Sequence, residues 1–205
     1  MNKIIVLLLV VLILGVFAGC SSNNESEQTS TNQNSSKQEI NTQQTISWTS
    51  DGIISQNEYK NSKNFGRFSV FWNNDDTYLY MAIQGQTSGW ISIGFEPTNV
   101  MKDADMVFGW ISNNTPTILD VYSTGAFGPH PPDIELGGKD DLIEKGGTES
   151  NGITYIEFKR KLNTGDTYDK AFTRGQNIEI IWGIGSSDSL NSLHSSRGSG
   201  NITLD

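Results

Sequence analysis

From about residue 46 onward, apolar and polar positions alternate with a period of two. Phe68, Val70 and Trp72 share one face, and Tyr78-Leu-Tyr-Met-Ala-Ile83 follows an Asn-Asn-Asp-Asp turn, which predicts a hairpin. Trp90 to Phe95 and Met106 to Ile111 predict two more strands, the second with Met106, Phe108 and Trp110 on one side. The alternation continues through 117–122, 153–158 and 178–184, and 202–204 closes the series. Gly, Asn, Asp and Pro clusters fill the gaps. No window supports a long amphipathic helix, and 168–173 admits one short turn. About seven to nine short strands in one domain predict an all-β fold, an antiparallel immunoglobulin-like β-sandwich. The absence of a regular repeat argues against a propeller or solenoid. One long connection, 123–152, contains Gly128-Pro-His-Pro-Pro-Asp133. Long loops on a sandwich are functional or mobile, and the sequence leaves the role of this one open.

The N-terminus breaks the pattern. Lys3 precedes an apolar run from Ile4 to Val16, and Phe17-Ala-Gly-Cys20 ends it with small residues before a cysteine. The run is short for a membrane-spanning helix, which needs about 20 residues. It resembles the lipobox of prokaryotic lipoproteins, which implies a signal at 1–19 and a lipid on Cys20. An uncleaved anchor with an ordinary cysteine is the alternative. Residues 20–45 form a polar tether with Ile40 as its one aliphatic residue, too poor in apolar groups to offset the entropy of ordering. The expected arrangement is a domain at 46–205, extracytoplasmic and held at the cell membrane by a lipid anchor.

Composition narrows the chemistry. Cys20 is the only cysteine, so a lipidated chain has no thiol left in its folded domain. That excludes disulfides, Cys-x-x-Cys-His haem attachment, thiolate zinc, blue copper and Cys-ligated iron–sulfur clusters. The chain carries 14 Lys and Arg against 23 Asp and Glu; losing 1–19 leaves 13 against 23, a net charge of −10. Such a domain is a poor partner for nucleic acid.

Two side chains remain as candidate ligands. Met101 sits in the short loop between two predicted strands, and His194 precedes Ser-Ser-Arg197-Gly198 in a chain with only two histidines. A thioether and an imidazole from distant loops can hold a haem iron from both faces. Taken alone, Met101 also reads as a loop methionine covering the core edge, and His194 as an exposed histidine among serines. Met106 is a second sulfur candidate, although its place in a strand favours the core. His130 is a second nitrogen candidate, which requires the long loop to fold back over the site. Trp90, Phe95, Met106, Phe108 and Trp110 border the methionine and can supply an apolar slot or simply the core. Arg197 suits a propionate or a turn carbonyl.

The strands also resemble a known family. Val70-Phe-Trp72, Asp75-Asp-Thr-Tyr-Leu-Tyr80, Gly89-Trp-Ile-Ser-Ile-Gly-Phe95, Ala104-Asp-Met106, Gly109-Trp110, Asp120-Val-Tyr122, Ile156-Glu-Phe158, Trp182-Gly and His194 with Arg197-Gly198 occur in the order and spacing of DOMON domains. The likeness is to the haem-binding branch that includes the cytochrome domain of cellobiose dehydrogenase. It implies a sandwich fold and a non-covalent b-type haem with Met101 and His194 as axial ligands. With both axial positions filled by protein, the implied function is single-electron relay to a redox partner protein or a small electron carrier, not catalysis. Other DOMON branches imply the alternative, a non-haem module binding carbohydrate or another small ligand.

Weaker constellations carry less. Asp103 and Asp105 flank Ala104 and read as solvated acids before they read as cation ligands. Thr164-Gly-Asp166 with Asp169 lacks the spacing of an EF-hand and reads as a turn. Glu157 and Asp120 have no support as a catalytic pair, and two histidines are too few for a copper monooxygenase.

Overall fold

The computed structural model describes residues 48–205; the expected signal at 1–19, Cys20 and the tether at 20–45 lie outside the described residues. Ten strands and one short helix follow in order: β1 Asn61–Asn64, β2 Phe68–Asn74, β3 Tyr78–Gly85, β4 Ile91–Phe95, β5 Asp105–Ser112, β6 Thr115–Tyr122, α1 Asp133–Leu136, β7 Glu144–Ser150, β8 Ile153–Lys161, β9 Asn177–Gly185 and β10 His194–Thr203. They form two five-stranded sheets, β1-β2-β3-β8-β7 and β10-β9-β4-β5-β6. Every pairing between strands is antiparallel. The protein is the all-β sandwich that the alternation predicts.

Period-two alternation assigns the faces. Phe68, Val70 and Trp72 from β2 meet Ile91, Ile93 and Phe95 from β4 and Ile178, Ile180, Trp182 and Ile184 from β9 in one buried core. The Phe68 and Trp182 rings stack across it, with centroids 5.2 Å apart and planes 4° from parallel. Each such side chain contributes about 1.5–3 kcal/mol when fully buried.

The second sheet is apolar on its other face as well. Trp90, Ala104, Met106, Phe108 and Val121 form a separate buried cluster, joined by Trp110, Leu119, Ile181 and Leu190. This second cluster is what positions the candidate site. Among the described residues no helix is long and apolar enough to cross a membrane.

The strands missing from the sequence reading are edge strands. β1 and β7 border the first sheet, and β10 borders the second. β1 reads NSKN and β7 reads EKGGTES, and most of their residues are exposed or half-buried. β10 reads HSSRGSGNIT, of which only the Ile202 end carries an apolar signal. The connection at 123–152 is therefore not one loop: it contains α1 and the whole of β7.

Candidate functional site: a cavity on the outer face of the second sheet

The floor of the site begins with an aromatic side chain lying over glycines. Trp90 precedes β4, and its indole covers the outer face of β9. A Cβ on Gly185 would fall 2.1 Å from Trp90 Nε1, and one on Gly183 would fall 3.0 Å from its Cζ3. Only glycine leaves that space. The indole Nε1–H donates to Ser192 Oγ at 2.8 Å, and the ring meets Phe108 at a centroid distance of 4.3 Å. Register sets Phe108 opposite Ser92, and Ser92 opposite Gly183, in one row across the sheet. The next row holds Met106, Gly94 and Ile181.

Three loops wall this floor and enclose a cavity of about 490 Å³, within the ~300–1,000 Å³ usual for small-molecule and cofactor sites. The β4–β5 loop brings Val100 and Met101, the loop after β6 brings Phe127 and His130, and the β9–β10 segment brings Leu190, Ser192, Leu193 and His194. Arg197 and Ser199 of β10 complete the lining. The rim is apolar and open to solvent: Val100 is 50% exposed, Phe127 83% and Leu193 87%. An isolated exposed apolar side chain is ordinary, but three converging on one mouth point to a ligand or a partner.

The Met101 loop is held by its own bonds. Lys102 N–H donates to Asn99 C=O at 2.9 Å, and Thr98 N–H to Lys102 C=O at 2.8 Å, closing a tight turn with Val100 and Met101 at its tip. Val100 adopts φ 58°, the left-handed region that a β-branched residue rarely enters. Thr98 Oγ1 and Tyr122 Oη donate to the Asp103 carboxylate. The Thr98 bond is the main reason that this carboxyl lies below the usual range. Asp103 thus serves the loop.

The two imidazoles differ. His194 Nε2 lies 3.1 Å from Arg197 Nη1. His130 packs against Phe108 at 6.1 Å, and its Nε2 is buried without a partner. Burial, and then the nearby His194, push the His130 pKa down and favour its neutral form. A neutral imidazole is the form that ligates iron.

Of the residues singled out in the sequence, Met101, His194, Trp90, Met106, Phe108 and Arg197 line this one cavity. His130 lines it too, because the connection after β6 does fold back over the site. Phe95 and Trp110 are not in the lining. Phe95 follows Ile91 and Ile93 on the inward-facing positions of β4 and packs edge-on against Phe172 at 5.4 Å in the inter-sheet core. Trp110 shares the outer face with Phe108 but packs, half-buried, beside the outer cluster. The rim residues Val100, Phe127 and Leu193 were missed because nothing in a sequence separates a rim position from any other exposed apolar loop residue.

A second group of side chains, met in the sequence only as separate weak candidates, comes together in the fold. Asp105, at the start of β5, is buried and is held by Arg160 Nη1 at 2.6 Å and by Lys170 N–H at 2.7 Å; it is not a solvated acid. Asp169 lies 3.5 Å from Arg160 Nη2, and both side chains are buried. One carboxylate oxygen each from Asp105, Asp120 and Asp169 lie within 4.8 Å of one another, a spacing at which oxygens can share a hard cation. Arg160 supplies a single positive charge among them. Burial, reinforced by neighbouring carboxylates, pushes Asp120 up to about 8 and Asp133 up to about 7. Burial also raises Asp169, to about 6, against the pull of Arg160. Glu157 is far from this group in its contacts: it accepts from Tyr59 Oη at 2.7 Å and Gly52 N–H at 2.6 Å.

The arrangement is a β-sandwich with a cavity on the outer face of one sheet, lined by Met101, Met106, His130 and His194 over an aromatic floor. A family model of the DOMON domain matches residues 63–185, and the chain belongs to the DOMON family. The chain is similar to DBH-like monooxygenase protein 1 of Homo sapiens, at 26% identity over 117 residues, and of Mus musculus, at 30% over 117 residues. Each of those matches covers 57% of this chain but 18% of the relative, so the chain spans under a fifth of those proteins. Among solved structures it is similar to the cytochrome b domain of pyranose dehydrogenase from Coprinopsis cinerea (19% identity, TM-score 0.48, 66% of this chain and 75% of that one). It is also similar to the cytochrome domain of Myriococcum thermophilum cellobiose dehydrogenase (14% identity, TM-score 0.49, 67% and 75%).

Proposed function

We propose that this DOMON domain holds a non-covalent b-type haem between Met101 and His194 and relays single electrons without transforming a substrate. One observation carries the reading: two donors far apart in sequence, Met101 on the β4–β5 loop and His194 at the start of β10, line the same apolar cavity. The surroundings fit the group. Trp90, Phe108, Met106 and Ile181 supply an apolar floor, the rim is apolar, and Arg197 stands at the edge where a propionate needs a cation. His130 Nε2 is an orphaned buried polar atom beside the cavity, a cost of about 1–3 kcal/mol that a bound group can relieve.

Haem ligated by a thioether and an imidazole supplies one-electron chemistry at a raised potential. Met101 and His194 would hold it, and Trp90, Met106 and Phe108 would lie against it as an apolar floor. With Cys20 lipidated, the domain works outside the cytoplasm at the membrane and exchanges electrons with a redox protein or a small carrier. The test is titration of the purified full chain with haem. The reading expects stoichiometric uptake with a sharpened Soret band and reversible one-electron reduction; no uptake at saturating haem contradicts it.

A second reading rests on a different surface. The outer face of the first sheet has a cavity of about 440 Å³ lined by Phe71 and Tyr155 with Gln84, Thr148 and Ser150. Aromatic rings beside amides and hydroxyls suit a carbohydrate. Selective retention on a glycan array without haem uptake favours this reading over the first.

A further inference from the structure

His130 lines the cavity and packs against Phe108, yet its ring keeps an unpartnered nitrogen. Its Nε2 is buried and has no hydrogen-bond partner. Its backbone is fixed between Pro129 and Pro131, where both neighbours have a locked φ. The surrounding loop is tied down by Tyr122 N–H to Pro131 C=O at 3.1 Å and Thr124 N–H to Pro129 C=O at 3.2 Å. A side chain on so firm a base is placed, not wandering.

The placement has a direction. The His130 and Met101 loops are bonded to each other: Asp103 N–H donates to Ser123 C=O at 2.8 Å, and Ser123 N–H to Ala104 C=O at 3.0 Å. Tyr122 Oη reaches the Asp103 carboxylate at 3.2 Å. Both donors therefore belong to the wall built on β4, β5 and β6. His194 belongs to β10, the opposite edge of the same sheet, and its Nε2 already faces Arg197. The cavity thus offers a thioether and an imidazole from one wall and a second imidazole from the other.

From this we infer that His130 is an alternative iron ligand, able to take the coordination position of Met101 opposite His194. The inference rests on the haem reading above. With haem bound, His130 would hold the iron in place of Met101, one neutral two-electron donor for another, and an imidazole in place of the thioether would lower the potential.

The test uses the full chain loaded with haem, compared as wild type, Met101→Ala and Met101→Ala/His130→Ala, read by ferric absorption, paramagnetic resonance and midpoint potential. Met101→Ala is expected to lose the near-infrared thioether–iron band, to stay low-spin and to show a lower potential. The double variant is expected to turn high-spin and to recover a low-spin spectrum on adding free imidazole, which reports an intact pocket. A Met101→Ala protein as high-spin as the double variant overturns the role of His130, and so does a double variant that remains low-spin without imidazole. Failure of the haem reading looks different, because the wild type itself then takes up no haem.

Discussion

Gly185 has no side chain, and the Trp90 indole uses the room. A methyl group there would sit 2.1 Å from Trp90 Nε1, so Gly185→Ala must push the ring off its floor and away from Ser192. Overpacking of this kind costs about 1–3 kcal/mol. The expected result is a lower thermal midpoint together with weakened haem uptake; an unchanged midpoint and affinity would show that the ring does not form the floor. The same scale shows what single residues disclose in a sequence. Met106 and Phe108 share an outer face by alternation, and the cavity lies above them. Phe95 looked equivalent but occupies the inward position of its strand. Both faces of the second sheet are apolar, so hydrophobicity alone could not tell the floor of a site from the core.

The Met101 turn carries its strain in Val100, whose left-handed backbone costs a β-branched residue about 1–2 kcal/mol. Val100→Gly is expected to leave thermal stability equal or slightly higher, because relief of that cost offsets the greater freedom of the unfolded chain. Haem affinity is expected to fall severalfold as the turn loosens and an apolar rim contact is lost. A marked loss of stability would show that Val100 is not strained. Strands were legible where both their faces or one entire face met a core, as in β2, β4, β5 and β9. β1, β7 and the first part of β10 were not, because an edge strand is held by backbone bonds to one neighbour and needs no apolar period. The loss matters for function, since His194 and Arg197 lie on β10 and the sequence alone placed them in a loop.

Across the whole molecule, the buried carboxylates set the pH response. Asp120, Asp133 and Asp169 hold protons in the folded state up to about 8, 7 and 6, whereas the unfolded chain releases them near 4. Their contribution to stability is complete below the unfolded value and is lost as pH rises through the folded ones. Glu157, which burial raises to about 7, adds to them, and His130, kept neutral by burial, acts in the opposite sense as a single group against four. Asp75 and Asp103, both below the usual range, contribute above about pH 4 and lose that contribution under acid. The thermal midpoint is therefore expected to peak at mildly acidic pH and to fall from about pH 5 to about pH 8. Asp120→Asn is expected to flatten the upper part of that fall. A midpoint rising steadily across the window contradicts the protonated cluster. None of this was visible in the sequence, because Asp105, Asp120, Asp133 and Asp169 come from four separate elements and look like ordinary turn and strand-end acids.

The central claim is that Met101 and His194 grip one haem iron from opposite sides. The most direct measurement is the ferric near-infrared and paramagnetic resonance spectrum of the haem-loaded full chain beside Met101→Ala and His194→Ala. The predicted result is a low-spin wild type with a thioether–iron band, loss of that band in Met101→Ala, and a high-spin iron in His194→Ala. A wild type without the band, or a spectrum that neither substitution changes, contradicts the account.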